Sequence, residues 1–285
     1  MSRTQTPFRK KKHINEAQRS GPGLSLVLVG LSLLMIAPFV WMMLTSFKTL
    51  TEASDPEWMP SGFRWRNYPE VFTVIPFLRF SANSLVVAGW VTIIQVFTSA
   101  LAAFSFARLE WPGRDKVFFL YLGTMMLPGL VTLIPTFQLM VRMGMVDTYL
   151  GLILPTAFNA FGTFLLRQFM LGIPRALDEA AEIDGASKWQ IFWDVILPLS
   201  RPGLVTLAIF TFMGNFQSFF WPLVMMKTVD KFPLPVGLMF FDNERGQATH
   251  LLMAAVTMSV VPLIIIFVVL QKQLIRGIQL GGVKG

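Results

Sequence analysis

Stretches without charged residues recur along this chain and are separated by short polar segments. There are six of them, and the shortest is residues 148–166. An unpaired charge at the centre of a bilayer costs at least ~2.5 kcal/mol, so charge-free stretches of this length are typical of membrane-spanning helices. About 20 helical residues cross the apolar core of a bilayer. The pattern therefore predicts an all-α polytopic membrane protein.

One transmembrane helix is expected in each charge-free stretch. We place the six helices at residues 24–46, 82–106, 117–140, 149–166, 203–224 and 250–271. The first one is expected to remain as an anchor, because its apolar core exceeds the roughly 7 to 15 residues of a cleavable signal peptide. In the third helix, Pro128 and Pro135 with Gly129 between them predict an irregular backbone, since proline disturbs helical hydrogen bonding.

Lysine and arginine are distributed unequally between the two sides of this six-helix arrangement. Two-thirds of the 24 fall on the side of the N-terminus, while the acidic residues divide equally, so the net charge of +8 lies on that side. Positive residues concentrate in cytoplasmic loops, which predicts that the basic segment 1–23 and the tail 272–285 are both cytoplasmic. We attribute the run Arg9-Lys10-Lys11-Lys12 to topology and anionic lipid rather than to nucleic acid.

The composition offers little material for enzymatic chemistry. Hydrophobic residues make up 54% of the chain and charged residues 14%, and the mean hydropathy is +0.58. There is no cysteine, and the two histidines, His13 and His250, lie far apart in the sequence. A thiolate or histidine metal site is therefore not expected, and no residue is nominated as catalytic.

A polar island at residues 172–201 interrupts the apolar chain on the predicted cytoplasmic side. Pro174 suits the first turn of a helix. Beyond it, helical spacing predicts a short amphipathic helix with one polar face, made of Arg175, Asp178, Glu179 and Glu182. Gly185 predicts a sharp turn, and a second periodic run ends at Pro198. Helix, turn and helix together resemble a docking surface for another protein.

Two segments on the opposite side are long enough to form structure of their own. Residues 48–80 contain several prolines and aromatic residues, which favours a packed loop over a flexible linker. Residues 225–249 carry a polar tip that is either a solvated loop or a contact for a substrate-delivery protein. The candidate contact residues in this tip are Asn243, Glu244, Arg245 and Gln247.

The island also contains a spaced motif: Glu-Ala-Ala at 179–181, Gly185, and Leu197-Pro198 preceded by the aliphatic Val195. This motif resembles the signature of the permease subunits of bacterial ATP-binding-cassette (ABC) importers, in which isoleucine is usual at the position of Val195. Other segments resemble the smaller permease of the maltose-type carbohydrate importers. They are Leu133-Ile134-Pro135, Gly144-Met145-Val146-Asp147-Thr148-Tyr149, Leu154-Pro155 and Gly281-Gly282-Val283-Lys284-Gly285. The similarity covers nearly all of the chain beyond the first 20 residues.

The resemblance implies a type I ABC importer permease, with residues 24–271 as its transmembrane domain. Such a subunit works with a second homologous permease, two ATPase subunits and an extracytoplasmic solute-binding protein in the bacterial inner membrane. ATP and Mg²⁺ are expected in the ATPase, since this chain has no phosphate-binding Gly-x-x-x-x-Gly-Lys-Ser/Thr loop. The implied ATPase-coupling residues are Glu179, Ala180, Ala181, Asp184, Gly185, Leu197 and Pro198. The implied contacts in the tail are Gln279, Gly281, Gly282 and Lys284.

Residues for substrate recognition are suggested by side-chain chemistry. Sugars are held by aromatic faces and by amides that bond the hydroxyl groups. The candidates for the substrate pathway are Asn215, Phe216, Gln217, Trp221 and Asn83. Amides in membrane helices also bond neighbouring helices, and that alternative stays open for each of them.

Two other classes of membrane protein fit the sequence less well. A secondary carrier would usually show ionisable residues inside its helices and an internal repeat. An integral membrane enzyme would need a nucleophile, a base or a metal set clustered near one face of the bilayer. Neither feature is evident in the sequence.

Overall fold

The computed structural model describes residues 22–243 and 246–282, which fold mainly as helices. A π-helical stretch, Ile191–Ile196, joins two short helices, and Asp242–Asn243 (β1) pairs antiparallel with Gly246–Gln247 (β2). The helices are α1 (Pro22–Thr45), α2 (Asn67–Val74), α3 (Phe77–Arg108), α4 (Arg114–Gly123), α5 (Gly129–Arg142), α6 (Tyr149–Ile153), α7 (Ala160–Leu171), α8 (Ala176–Ile183), α9 (Lys188–Gln190), α10 (Leu197–Leu199), α11 (Arg201–Phe216), α12 (Phe220–Met225), α13 (Leu234–Gly237) and α14 (Thr249–Gly282).

Several helices are apolar and long enough to cross a membrane. Within the described residues, three do so as single helices: Gly23–Thr45, Phe77–Arg108 and Thr249–Val269. They coincide with the first, second and last predicted spans. The number reaches six when each of three bent helix pairs counts as one span; the bends are 100° between α4 and α5, 47° between α6 and α7, and 75° before α11.

The breaks in the middle spans have identifiable local causes. Pro128 precedes α5 in an extended conformation, so the helix restarts there and the predicted irregularity of the third span is confirmed. Pro155 lies in a 3₁₀ turn between α6 and α7. The predicted continuous helix at 203–224 is wrong, because α11 ends at Phe216 and α12 begins only at Phe220.

The centre of the bundle is α3, which packs against α7 and α11. Its buried alanines, Ala100, Ala103 and Ala107, allow close approach of the neighbouring helices. Gly203 of α11 lies so near Phe169 that an added Cβ would stand 2.7 Å from the aromatic ring. By contrast, α1 packs along α14 and leaves its apolar side chains exposed, as expected for a helix surrounded by lipid.

The segment after α1 is a packed loop, as the sequence predicts. The buried Asn67 amide donates to the carbonyls of Ser46 at 2.8 Å and Lys48 at 2.9 Å. The Lys48 ammonium donates to the Glu57 carbonyl, and Phe47 packs edge-on against Trp65. These contacts fix the loop against the start of α2.

A cluster of hydrogen bonds around Asp147 joins two connecting segments at the same end of the bundle. Asp147 has a left-handed φ of 59°, and its Oδ1 accepts from the backbone of Lys227 and Thr228, each at 3.0 Å. Its Oδ2 accepts from the Thr228 hydroxyl at 2.6 Å and the Lys231 ammonium at 3.0 Å. These donors, the Thr228 hydroxyl first, hold the pKa of Asp147 well below its usual range. The carboxylate therefore ties the segment after α5 to the segment after α12.

Replacing Asp147 with asparagine should loosen this connection. Each hydrogen bond to a charged group contributes about 1.5–3 kcal/mol, so we expect the Tm of the purified protein to fall by several degrees. Asp230→Asn is the matched control, because that carboxylate is more than half exposed and pairs with Arg79 alone. Equal Tm values for the two variants would contradict the role given to Asp147.

Candidate functional site

The amphipathic helix predicted in the polar island is confirmed as α8. It begins after Arg175 and carries Asp178 and Glu179 in its first turn. Acidic side chains stabilise this position because the helix dipole is positive at its N-terminal end. The helix therefore starts at Ala176, two residues later than predicted, and Pro174 precedes its first turn instead of lying within it.

Gly185 ends α8 in the conformation that its residue type favours. Its φ is +84°, and the Gly185 amide donates to the Glu182 carbonyl at 3.0 Å. The next amide, that of Ala186, donates to the Ala181 carbonyl at 2.9 Å. This pair of bonds is a Schellman motif, which needs a left-handed residue at the position of the glycine. The predicted sharp turn is confirmed.

The second part of the island is helical but is not the plain α-helix that the sequence predicts. Ser187 and Gln190 form a capping box at its start. The chain then widens into the π-helix, where the Leu197 amide donates to the Phe192 carbonyl. Pro198 explains the wider turn, because a proline ring clashes with the carbonyl four residues earlier in an α-helix. The helical stretch also extends past Pro198 to Leu199, so the predicted end is wrong.

The π-helix anchors the island to the membrane helices. Ile191, Phe192 and Ile196 are buried in one cluster with residues of α3, α7 and α11. The rings of Phe192 and Phe104 lie 5.2 Å apart. Ala181, Val195 and Leu197 are half-buried against the same cluster. The island is therefore a fixed part of the fold.

The opposite side of the island is exposed. Glu179, Ala180, Asp184, Gly185 and Pro198 are all accessible, and the Ile183 side chain is 86% exposed. A large apolar side chain at a protruding helix end is more typical of a contact surface than of a solvated loop. Most of the predicted coupling residues are thus exposed, and the accessible side of α8 with Glu179, Ala180 and Ile183 is hereafter the exposed face of α8.

The prediction of a single polar face on α8 is wrong in one respect. Asp178 turns inward, and its carboxylate pairs with Arg108 at 3.3 Å, with only 15% of the side chain exposed. Arg175, Glu179 and Glu182 remain exposed. A cleft of about 550 Å³ lies beside them and is also lined by Trp111. Arg108 could have been noticed in the sequence, since it ends a charge-free stretch, but its partner depends on tertiary packing.

The candidate pathway residues do not form a single site. Phe216 is buried and Gln217 exposed, and both line an apolar groove of about 600 Å³ between α11 and α14. Asn215 lines a different, small pocket together with Trp221. The Asn215 amide donates to the Thr211 carbonyl at 2.8 Å within its own helix. The indole of Trp221 donates to the Gly151 carbonyl at 3.1 Å.

Asn83 of α3 bonds two other parts of the chain, the segment after α12 and the start of α6. Its amide donates to the carbonyls of Asp230 at 2.9 Å and Phe232 at 3.0 Å, and its Oδ1 accepts from the Tyr149 hydroxyl at 2.8 Å. The polar groups of Asn83 are thus used within the protein. These hydrogen bonds agree with the alternative in which the Asn83 amide bonds neighbouring segments of the protein.

The remaining candidates lie in the hairpin and in the last helix. Asn243 and Gln247 belong to β1 and β2, whereas Glu244 and Arg245 lie outside the described residues. Gln279, Gly281 and Gly282 fall in the last turns of α14, and Lys284 lies outside the described residues. Across residues 22–243 and 246–282, no three histidine or acidic residues are grouped closely enough to hold a metal ion.

Comparison with known proteins identifies the family. Residues 18–280 match the family described as the binding-protein-dependent transport system inner membrane component. The chain belongs to this family. It is accordingly an inner-membrane permease subunit of an ABC importer, and its apolar helices agree with that location.

Individual members of the family are similar over most of their length. The arabinooligosaccharides transport system permease protein AraQ of Halalkalibacterium halodurans is 31% identical over 94% of this chain and 99% of its own. The sn-glycerol-3-phosphate transport system permease protein UgpE of Escherichia coli is 35% identical over 71% of this chain and 73% of its own. A chain in the crystal structure of a bacterial ABC transporter that imports alginate superimposes with a TM-score of 0.79, at 25% identity, over 94% of this chain and 99% of that one.

Valine at Gly185 should disrupt the turn that ends α8 in this permease. A left-handed backbone costs a residue with a Cβ about 1–2 kcal/mol, and more when the side chain is branched. We expect Gly185→Val to lower the Tm of the purified permease by a few degrees. Gly185→Asn is the matched variant, because asparagine tolerates this conformation, and it should keep most of the wild-type Tm. A wild-type Tm for the valine variant would contradict the requirement for a left-handed residue at this turn.

Proposed function

We propose that α8 is the coupling helix through which separate ATPase subunits drive this permease. The observation that carries the proposal is the division of α8 into two faces. The exposed face presents Glu179, Ala180 and Ile183, while the other side is held by Asp178 and by the packing of the island against α3. Small side chains on the exposed face permit a partner to approach closely. A force on the exposed face would therefore reach the membrane helices.

The proposed arrangement has six membrane spans with both termini and α8 on the cytoplasmic side. Its support is the excess of lysine and arginine on the side of the N-terminus. In this proposal, two ATPase subunits hydrolyse ATP with Mg²⁺, a second permease completes the pathway, and the permease itself performs no chemistry. Closure of the ATPase dimer would rotate the helices as rigid bodies around a central cavity.

Replacing Glu179 with lysine should uncouple transport from ATP hydrolysis by the ATPase. We propose that this carboxylate contacts a basic residue of the ATPase, and a like-charge contact in its place costs several kcal/mol. We expect Glu179→Lys to lower substrate-driven uptake by more than about tenfold in proteoliposomes, with normal membrane insertion.

Two further variants show whether charge at this position is responsible. Glu179→Gln keeps the volume and removes the charge, so its uptake should lie between that of wild type and that of the lysine variant. Glu57→Lys makes the same change in the loop after α1, and it should leave uptake unchanged. Full uptake by Glu179→Lys would refute the coupling role.

We propose that the cargo is a carbohydrate or a similar polyhydroxylated solute. The similar proteins are named for arabinooligosaccharides, sn-glycerol-3-phosphate and alginate, which are all rich in hydroxyl groups. Gln217 is the better-placed pathway candidate, because its exposed amide lies at an apolar groove and makes no side-chain hydrogen bond among the described residues. Phe216 would form part of the wall of this groove. Asn215 and Trp221 would support it from the neighbouring pocket.

Replacing Gln217 with alanine should raise the KM for transport. One hydrogen bond contributes about 0.5–1.5 kcal/mol, so a severalfold change in KM is expected. Asn215→Ala should change KM less, because its amide already bonds its own helix. Gln271→Ala, near the other end of α14, is a control that should match wild type. Identical KM values for all four proteins would remove Gln217 from the pathway.

Two further contacts complete the proposed assembly. The hairpin of β1 and β2 would touch the solute-binding protein on the outer side. The end of α14 would approach the ATPase subunits through Gln279, Gly281, Gly282 and Lys284. The support for both is position, since each segment lies at a terminus of an apolar helix that can cross the membrane.

A further inference from the structure

A buried ion pair joins the last residue of α3 to α8. The Arg108 guanidinium approaches Asp178 Oδ2 to 3.3 Å and donates to the Ile173 carbonyl at 2.8 Å. Only 4% of the Arg108 side chain is exposed. Arg108 is itself part of α3. Its side chain bonds the α7–α8 connection at Ile173 and α8 at Asp178, so one arginine joins three segments.

This ion pair is not explained as a source of stability. Burial is the largest influence on the pKa of Asp178 and raises it, while the Arg108 charge acts in the opposite direction. Arg108 Nε and Asp178 Oδ1 are buried with no hydrogen-bond partner within the described part of the chain. Buried charges that are incompletely bonded are often no more stabilising than an apolar pair of similar size. A positional role accounts better for these residues.

The direction of these contacts distinguishes them from the apolar packing nearby. Phe192 also touches α3, through Phe104, and holds the island against the bundle, but apolar contacts have no directional preference. Hydrogen bonds and ion pairs of a planar guanidinium depend on angle as well as distance. The Arg108 contacts therefore fix the lateral position of α8 relative to α3.

The end of α3 is also held to the rest of the bundle. Arg167 of α7 donates to the Phe106 carbonyl at 3.2 Å and lies 3.6 Å from the Asp115 carboxylate of α4. Its guanidinium stands 4.2 Å above the ring of Phe118. A displacement that reaches Arg108 would consequently move α3, α4 and α7 together.

We propose that the Arg108–Asp178 ion pair is the positioning contact that transmits displacement of α8 to α3. The proposal rests on the proposed coupling function of α8 and adds the residues that carry the motion inward. A second ion pair, at 3.1 Å, joins Arg175, just before α8, to Glu110, just after α3. Its side chains are 56% and 76% exposed. Water and salt weaken such a pair, so it should contribute little.

The test is the number of substrate molecules transported per ATP hydrolysed, measured with the complete four-subunit complex in proteoliposomes. Asp178→Asn should lower this ratio by about tenfold, a size typical of energetic coupling between two sites. Hydrolysis itself should persist, because Asp178 lies away from the exposed face of α8. Arg175→Gln, which breaks the exposed pair, should keep the wild-type ratio. A wild-type ratio for Asp178→Asn, or an equal decrease for Arg175→Gln, would overturn the proposal.

A double variant covers the case in which Asp178→Asn does not assemble. Arg108→Met with Asp178→Leu fills the same space without charge, so it should fold and associate with the ATPase. Its transport ratio should nevertheless fall, because the directional contact is missing; a full ratio would overturn the proposal. Glu179→Lys separates this outcome from failure of the proposed function. If that variant uncouples while Asp178→Asn does not, only the transmission through Arg108 is wrong.

Discussion

The exclusion of charge from the bilayer interior is the constraint on which the rest of this structure depends. It confines the ionisable side chains to the helix ends and the connecting segments, where the two ends of α3 carry different clusters. At one end, Asp147 binds the segment after α12 through four donors. At the other, Arg108 and Arg167 join α3 to α4, α7 and α8. Between them, small residues and aromatic packing hold the helices together.

The separation of charged clusters from apolar packing supports the proposal that this permease transmits force through α8. The island that carries α8 is anchored by Phe192 and Ile196, so it moves with the membrane helices. Its outer surface ends in an exposed isoleucine and a left-handed glycine, Ile183 and Gly185. Transport in this family depends on a binding protein, and the similar alginate transporter is an importer. In the proposed function, the exposed face of α8 receives the force and the membrane helices respond to it.

Much of this arrangement could be predicted from the sequence, because the strongest signals are local. Charge-free stretches located α1, α3 and α14, Pro128 located the largest bend, and Gly185 located the turn. The π-helix was not predicted, since Pro198 shows that a regular helix is disturbed but not how the chain adapts. The inward turn of Asp178 was also missed. Helical spacing orders side chains around α8, whereas the burial of one of them depends on where α3 ends.

The central claim is that the exposed face of α8 docks on a cytoplasmic ATPase. The chain has no cysteine, so the substitution Ile183→Cys introduces a single exposed thiol. Its reaction with a membrane-impermeant thiol reagent can report this contact. In inside-out vesicles, this account predicts rapid labelling when the permease is expressed without the ATPase and strong protection when the ATPase is bound. Equal labelling in both cases, or labelling only from the outer side, would contradict it.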